Sequence, residues 1–205
     1  TVPASFDLIQ SNATKEAGYQ AGFKQVVLLQ EPIAASLAYA NMKKTNDLTD
    51  GQWLVYDLGG GTFDVALVKI ADGEMKIIDH EGNNFLGGID FDQLIVEKLI
   101  IPKLNAEYVF ENLEEDLKSA SGKYNAKYCM LLNLAEGAKI HLSAVSSADI
   151  FIEGFDDEHG RPVFMEIVIT RSEFNDLIKS AIDETIEMTK KIITRNSLTS
   201  NDLQF

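Results

Sequence analysis

The spacing of hydrophobic and polar positions changes along the chain, and each change predicts a new element. Apolar residues at four-residue spacing over residues 9–22 predict a helix, which Gly22 can close. The short apolar run 26–29 suits one buried strand. Glu31 and Pro32 then open an alanine-rich stretch, and a proline just inside such a stretch is typical of a helix start.

The middle of the chain predicts an antiparallel sheet. Residues 43–51 are polar and turn-rich, which indicates a loop and a candidate subdomain boundary. Apolar runs joined by short connections follow at 53–56, 62–70 and 75–79, and short connections favour hairpins. We therefore expect a meander of three strands in this region.

The rest of the chain predicts a helical block around one strand pair. Strands are expected over 148–153 and 163–169, on either side of a turn-rich segment. The expected helices cover residues 90–105, 107–122, 128–143 and 170–196. The fold class that this order of elements predicts is mixed α/β.

Composition and charge exclude several classes of protein. The chain has 205 residues, of which 45% are hydrophobic and 24% charged, as expected for a globular protein. A net charge of -14 disfavours nucleic acid and anionic lipid, so any phosphate must be bound through local geometry or a metal ion. No apolar run approaches membrane-spanning length. We expect neither nucleic acid nor a membrane among the partners.

The only cysteine, Cys129, lies among apolar residues. A single cysteine cannot form a disulfide within the chain, and no cluster of His and Cys has zinc spacing. Free cysteine in apolar surroundings is usually buried. We expect a buried thiol and a reducing, cytoplasmic location.

The stretch with the clearest chemistry lies between the first two expected strands, at residues 57–64. Gly59, Gly60 and Gly61 remove every Cβ from the turn, so its backbone can adopt positive φ and approach a ligand closely. Successive N–H groups in such a turn can hold an anion, and Thr62 adds a hydroxyl. The simpler alternative is a glycine-rich hairpin that only turns the chain.

Two aspartates flank this loop, and they favour a phosphate site over a simple hairpin. Asp57 and Asp64 could hold Mg²⁺ through waters, because magnesium keeps much of its hydration shell. The ion would bridge an acidic site to an acidic ligand. No Gly-Lys-Ser/Thr follows, so this is not a Walker loop, and a strand after the glycines excludes the Rossmann fingerprint.

Residues 57–64, Asp-Leu-Gly-Gly-Gly-Thr-Phe-Asp, resemble the second phosphate-binding motif of the DnaK-type, seventy-kilodalton heat-shock chaperone family. That family belongs to the actin-like ATPase superfamily. The resemblance extends along almost the whole chain. Further matching motifs lie at residues 1–4, 13–18, 31–35, 86–92, 136–143 and 169–174.

The resemblance implies ATP or ADP and Mg²⁺ as cofactors, together with the residues that bind them. Phosphate and nucleotide contacts are implied for Gly59, Gly60, Gly61, Thr62, Gly87 and Gly88. Catalytic roles are implied for Asp57, Glu31, Thr62 and Asp64. The metal would be held through water by Asp57 and Glu31. The family's adenosine-contacting helix matches the spacing of Glu136, Lys139 and Ser143.

Some of these residues have a simpler explanation without the resemblance. Glu31 can favour a helix N-terminus electrostatically. The set on the later helix, Glu136 with Lys139 and Ser143, can form a solvated face with one weak ion pair.

The implied architecture is the actin-like ATPase (ribonuclease H-like) fold, with most of its second lobe and part of the first. We expect residues 1–46 to be a remnant of the first lobe, and residues 47–86 and 179–205 to form the base of the second. Residues 87–178 would form its upper helical-plus-sheet subdomain, the usual docking place of nucleotide exchange factors.

The sequence also departs from the family pattern. The family's N-terminal phosphate loop and its Gly-Gly-x-x-Arg-x-Pro motif are not in the chain, so we expect an internal piece of the domain that is inactive alone. Ile89 replaces a glutamate, Ser5 an aromatic residue, and Ser11 an arginine used in interdomain coupling. The helical block also carries extra residues around 105–128.

The function that the resemblance implies is a chaperone ATPase that couples ATP hydrolysis to protein folding. Its implied partners are a nucleotide exchange factor, a J-domain co-chaperone, and unfolded clients bound through a further domain. Two alternatives stay open. One is another actin-like protein, either sugar-kinase-like or filament-forming, and the other is a nucleotide-binding regulatory module without turnover.

Overall fold

The computed structural model of the chain describes residues 1–42 and 50–203. The chain divides into two compact units, Thr1–Gly87 with Asp183–Phe205, and Gly88–Ile182. The loop predicted over residues 43–51 lies mostly outside the described residues. Within the described residues, no helix is both long and apolar enough to cross a membrane.

The first unit begins with two helices, as predicted, which are α1 (Leu8–Gln20) and α2 (Glu31–Met42). Asp7 caps α1, because its carboxylate accepts the Gln10 N–H at 2.8 Å while the Gln10 side chain accepts the Asp7 N–H at 3.0 Å. Pro32 is the second residue of α2, where its missing N–H costs no helical hydrogen bond.

The strand predicted over 26–29 is wrong. In this region the backbone makes one isolated bridge, between Val2 and Gln30. The Val2 N–H donates to the Leu29 carbonyl at 3.0 Å, and the Glu31 N–H donates to the Val2 carbonyl at 2.9 Å. A strand needs a ladder of such bonds, and Val27 is 78% exposed rather than buried.

The predicted meander is confirmed as an antiparallel sheet in the order of the chain, β1 (Gly51–Leu58), β2 (Phe63–Ala71) and β3 (Glu74–Asn83). The central strand β2 is buried on both faces along most of its length. Asp72 and Gly73 form the β2–β3 turn with φ of 53° and 74°, and two positive φ values suit the twist of a tight hairpin. Ala40 of α2 packs with Trp53 against one face of the sheet.

The last helix, α7 (Arg171–Arg195), contributes its residues from Asp183 onward to this unit. Thr185, fully buried, shares a hydrogen bond of 2.6 Å with the Tyr56 hydroxyl of β1. Near the end of the helix, Arg195 donates to both carboxylate oxygens of Asp79, at 2.8 and 2.7 Å, and to Glu81 at 2.8 Å. These bonds fasten the helix end to β3.

The second unit contains the first part of α7, up to Ile182, and the helices α3 (Gly88–Ile95), α4 (Ile101–Glu107), α5 (Leu113–Lys118) and α6 (Asn125–Leu142). A π-helical turn, Val96–Ile100, joins α3 to α4, so the predicted helix over 90–105 is confirmed without a break. The predicted strand pair is also confirmed, as the antiparallel hairpin of β4 (Ser147–Asp156) and β5 (Pro162–Thr170). Every second residue of β5 faces the core that the helices share with this hairpin.

The helix predicted over 107–122 is wrong for most of its length, because after Glu107, where α4 ends, only α5 is helical there. Tyr108 and Phe110 instead lie in an irregular segment and pack with Tyr124 and Phe155 in an aromatic cluster. Gly122 lies against the backbone of Asp116, and a Cβ there would come within 2.1 Å of the Asp116 carbonyl oxygen. Burial of aromatic rings has overridden helix propensity in this segment.

The buried thiol predicted at Cys129 is also wrong, since this cysteine is exposed. It lies on α6, whose buried residues are Leu131, Ala135, Ala138 and Leu142. Cys129 precedes Leu131 by two positions, and residues two apart point to nearly opposite faces of a helix. The apolar residues next to Cys129 in the sequence therefore did not indicate which face of the helix it lies on.

The irregular segment also holds the hairpin in place. The Asp157 carboxylate accepts the N–H groups of His159 and Arg161 in the β4–β5 turn, both at 2.9 Å, and that of Val109 at 3.2 Å. The buried Tyr108 hydroxyl donates to the Phe164 carbonyl at 2.8 Å and accepts the Phe164 N–H at 2.9 Å.

Asp79→Asn is expected to lower the free energy of unfolding at pH 7 by about 1 kcal/mol, the usual scale for a partly exposed ion pair. The Arg195 hydrogen bonds hold the pKa of Asp79 below its ordinary value of 3.8, so this contribution is present above that pH and is lost as the pH falls through the lowered pKa. In urea unfolding, the difference in free energy of unfolding between the variant and wild type should be smaller at pH 3 than at pH 7. Asp176→Asn, an exposed change on the same helix, is the control, and an equal Asp79 effect at both pH values would contradict the prediction.

Tyr108→Phe is expected to leave the Phe164 N–H and C=O without their partner, at a cost of about 1–3 kcal/mol. Amide hydrogen exchange at Phe164 should become faster, and the free energy of unfolding should fall. Tyr19→Phe, on the exposed side of α1, serves as the control. Unchanged exchange at Phe164 would show that the hydroxyl does not protect this strand.

Candidate functional site

The glycine loop connects β1 to β2, as the sequence predicts. Asp57 pairs directly with Asp64 across the two strands, so the structure brings these two aspartates together at the base of the loop. The loop is closed by a hydrogen bond of 2.9 Å from the Gly59 N–H to the Thr62 carbonyl. Its residues lie at the surface, with Gly60 and Gly61 exposed.

The loop does not use the positive φ values that its glycines would allow. Positive-φ glycines occur in the described chain, but Gly59, Gly60 and Gly61 are not among them. A Cβ built on Gly60 or Gly61 meets no atom within 4 Å. Neither backbone conformation nor packing within the protein therefore requires glycine at positions 60 and 61, and the space beside them is open.

At position 87, in contrast, packing does require glycine. A Cβ at this position would lie 2.5 Å from the Gly61 nitrogen and 2.6 Å from the Gly60 carbonyl carbon. The backbone of Gly87 therefore rests directly on the backbone of the loop. This contact brings the predicted site residue Gly87 to the loop residues Gly60 and Gly61.

Asp64 is held in a tight, buried setting and is 3% exposed. Its Oδ1 accepts the Ser5 N–H at 3.3 Å, and a Cβ on Gly82 of β3 would lie 2.8 Å from the same oxygen. Burial raises the pKa of the Asp64 carboxyl, hydrogen bonds from Ser5 oppose this, and the nearby charge of Asp57 raises the pKa further. The surroundings of Asp64 therefore destabilise its charged form, and a nearby cation would stabilise that form.

Sequence reasoning did not single out Gly82 or the Ser5 N–H as parts of this site. Gly82 pairs with Asp64 across β2 and β3. The predicted third strand ended at Asp79, so Gly82 fell outside it. An isolated glycine inside a strand indicates that another group approaches the backbone closely. A predicted third strand that extended to Gly82 would have given this indication.

Glu31 is the first residue of α2 and is half-buried. Its carboxylate accepts the Thr1 hydroxyl at 3.2 Å. The position at the helix N-terminus also fits the simpler electrostatic explanation. In residues 1–42 and 50–203, no three His, Cys, Asp or Glu side chains are grouped to hold a metal ion. A metal ion near these carboxylates would take most of its ligands from water and phosphate.

The remaining predicted residues lie in the second unit. Gly88 is the first residue of α3, and Glu136 and Ser143 are exposed on α6 and at its end. Lys139 of α6 donates to the Gly88 carbonyl at 2.8 Å and to the Asp92 carboxylate at 2.8 Å. The structure therefore brings Lys139 to Gly88. The adenosine contacts of Glu136, Lys139 and Ser143 stay a prediction.

A family model for Hsp70 protein matches residues 1–205, which is the whole chain. The chain belongs to the Hsp70 family. This membership confirms the resemblance seen in the motifs and the predicted actin-like α/β fold class, with which the mixed helices and sheets agree.

Hsp70 proteins are in general ATPases that bind ATP or ADP with Mg²⁺ and act as chaperones. The part that the glycine loop, the paired aspartates and Gly87 play in that chemistry stays a prediction. The assignment of residues 1–46, 47–86 with 179–205, and 87–178 to parts of the Hsp70 lobes stays a prediction. The first compact unit contains residues from both sides of position 46.

Gly82→Ala is expected to push the Asp64 carboxylate out of its place, because the new Cβ would lie 2.8 Å from Oδ1 and 2.9 Å from the Phe63 carbonyl. Overpacking of this kind costs about 1–3 kcal/mol of folding free energy. Gly61→Ala is the matched control, since its Cβ meets open space, and it should change stability by less than about 0.5 kcal/mol. Chemical denaturation of both variants tests this. If Gly82→Ala were as stable as Gly61→Ala, β3 would be able to shift without a cost in folding free energy.

Proposed function

We propose that this Hsp70 chain binds Mg²⁺ with ADP or ATP, with the phosphates over the glycine loop. The open space beside Gly60 and Gly61 carries this proposal. Glycine is needed there by neither the φ values nor the packing of the protein, and a side chain would fill the place where a ligand could approach the backbone. Exposed N–H groups of such a loop suit an anion in a chain whose net charge is -14.

The residues around the loop fit the implied metal ion and nucleotide. Mg²⁺, when bound, supplies charge neutralisation at the phosphate oxygens. Asp57 and Glu31 would hold its water ligands, and the Thr62 hydroxyl and the loop N–H groups would hold phosphate oxygens. Asp64 would accept a hydrogen bond from the attacking water and orient it, because its carboxylate is fixed by Ser5 and Gly82.

In the second unit, we propose that Gly88, Glu136, Lys139 and Ser143 approach the nucleoside part of the ligand. Glu136 on α6 and Ser143 at its C-cap are exposed, at the spacing that resembles the family's adenosine-contacting motif. The proposed cellular role is that of the Hsp70 family, with hydrolysis coupled to protein folding. A J-domain co-chaperone, a nucleotide exchange factor and unfolded clients are the proposed partners, and the cytoplasm is the proposed location.

Gly60→Val is expected to abolish ADP binding, since its side chain would occupy the open space beside the loop. Calorimetric titration of the wild-type chain and the variant with ADP and Mg²⁺ tests this. Thermal unfolding is the control, and the variant should keep wild-type stability because a Cβ at position 60 meets nothing within 4 Å. Binding by wild type and by Gly60→Val alike would overturn the placement of the phosphates.

Turnover separates the ATPase from a regulatory module that only binds nucleotide. The N-terminal phosphate loop of the family is not among these 205 residues, so we expect negligible steady-state hydrolysis by this chain alone. In a protein that carries both loops, Asp57→Asn and Thr62→Val should each reduce turnover. Full nucleotide binding with no turnover in that protein would favour the regulatory module.

A further inference from the structure

The hydroxyl of Ser5 lies between two polar groups near the glycine loop, the carboxylate of Asp64 and the side-chain amide of Asn84. The Ser5 N–H donates to Asp64 Oδ1 at 3.3 Å, and Ser5 Oγ lies 3.0 Å from Asn84 Oδ1. Ser5 and Asn84 are half-buried, and all three residues belong to the first compact unit. Ser5 replaces an aromatic residue of the family pattern, so this hydroxyl is a feature of the chain and not of the pattern.

The Ser5 hydroxyl has one proton to donate, and two groups compete for it. When Asn84 presents its carbonyl oxygen, as in the 3.0 Å contact, the proton serves Asn84 and cannot also serve Asp64. A half-turn of the Asn84 amide exchanges its oxygen and nitrogen without moving the backbone. The amide then donates to Ser5 Oγ, and the hydroxyl proton is available to Asp64.

The charge of Asp64 decides between these two arrangements. Burial raises the pKa of the Asp64 carboxyl, and a hydrogen bond from the Ser5 side chain is the largest of the influences that lower it. Hydrogen bonds to an ionised acceptor are about twice as strong as those between neutral groups. The hydroxyl proton therefore stabilises the protein more at the buried carboxylate than at the Asn84 carbonyl.

We propose that Ser5 is a positioning residue, whose hydroxyl accepts a hydrogen bond from the Asn84 amide and donates one to the Asp64 carboxylate. Asn84 directly follows β3 and lies three residues before Gly87, whose backbone rests on the glycine loop. This relay, from Asn84 through Ser5 to Asp64, therefore fixes the direction of the carboxylate at the base of the loop.

The relay gives Ser5 a part in the proposed reaction, because Asp64 is the carboxylate proposed to orient the attacking water. That consequence for hydrolysis rests on the proposed function. The hydrogen bonds of the relay do not, and they can be measured without nucleotide.

The test compares Ser5→Ala, Ser5→Thr and Ser180→Ala in the full chain. Alanine removes the hydroxyl but leaves the backbone N–H that donates to Asp64, whereas threonine keeps a hydroxyl at the same position. Ser180 is exposed on α7, so its variant is the control. NMR at neutral pH without nucleotide follows the carboxyl ¹³C signal of Asp64 and the side-chain NH₂ signals of Asn84.

Ser5→Ala should shift the signals of both groups, since the Asp64 carboxylate loses a donor and the Asn84 amide loses its acceptor. Ser5→Thr should keep both close to wild type, and Ser180→Ala should change neither. In a protein that carries both phosphate loops, Ser5→Ala should lower kcat by about tenfold with KM unchanged, as expected for the loss of one hydrogen bond to a charged group. Ser5→Thr should restore kcat.

Three results would overturn the proposal. An unchanged Asp64 signal in Ser5→Ala would show that the hydroxyl does not donate to the carboxylate, and unchanged Asn84 NH₂ signals would show that the amide does not donate to Ser5. Wild-type kcat in Ser5→Ala would show that the relay does not position Asp64 for hydrolysis. If the wild-type protein with both loops has no turnover, the proposed ATPase function fails, and the NMR signals alone decide whether the relay exists.

Discussion

The site depends on a contact in which two stretches of backbone meet with no side chain between them. Gly87 rests on Gly60 and Gly61, and any Cβ on Gly87 would overlap backbone atoms. Strand pairing fixes the loop from the other side, down to the pair of Leu58 and Phe63. The loop therefore owes its shape to packing and pairing, and not to φ values that only glycine adopts. Its outer side is left open for a ligand.

Three aspartates in this acidic chain are stabilised in different ways, and the difference agrees with the proposed function. Asp79 and Asp92 each have a cation within hydrogen-bond distance, from Arg195 and Lys139. The hydrogen bonds to Asp64 come from the backbone and side chain of Ser5, and Asp57 lies beside it. Of these three aspartates, Asp64 is the one held by Ser5 and not by a lysine or arginine. That imbalance suits a position next to a metal ion and a polarised water.

Much of the fold could be predicted from the sequence, because long periodic patterns leave little choice. The meander, the β4–β5 hairpin and α7 follow from periodicity and turn residues. The prediction failed where tertiary partners decide, as at residues 26–29, which lack a ladder, and at Tyr108 and Phe110, whose rings draw the chain out of a helix. The loop and its aspartates were visible in the sequence. The Gly82 clearance and the Lys139–Asp92 pair were not, since each depends on which residues lie opposite one another in space.

The hydroxyl of Tyr108 makes the two backbone hydrogen bonds with Phe164 that a neighbouring strand would make, because it donates to the carbonyl and accepts from the N–H. The outer face of this hairpin carries exposed aromatic side chains, including Phe151 and Phe164. An open edge next to such a face is a template on which a second chain can add a strand and begin to aggregate. With the backbone of Phe164 already occupied, an incoming strand would have to displace the tyrosine before it could lengthen the sheet. The buried Tyr108 side chain thus opposes self-association of the hairpin at Phe164.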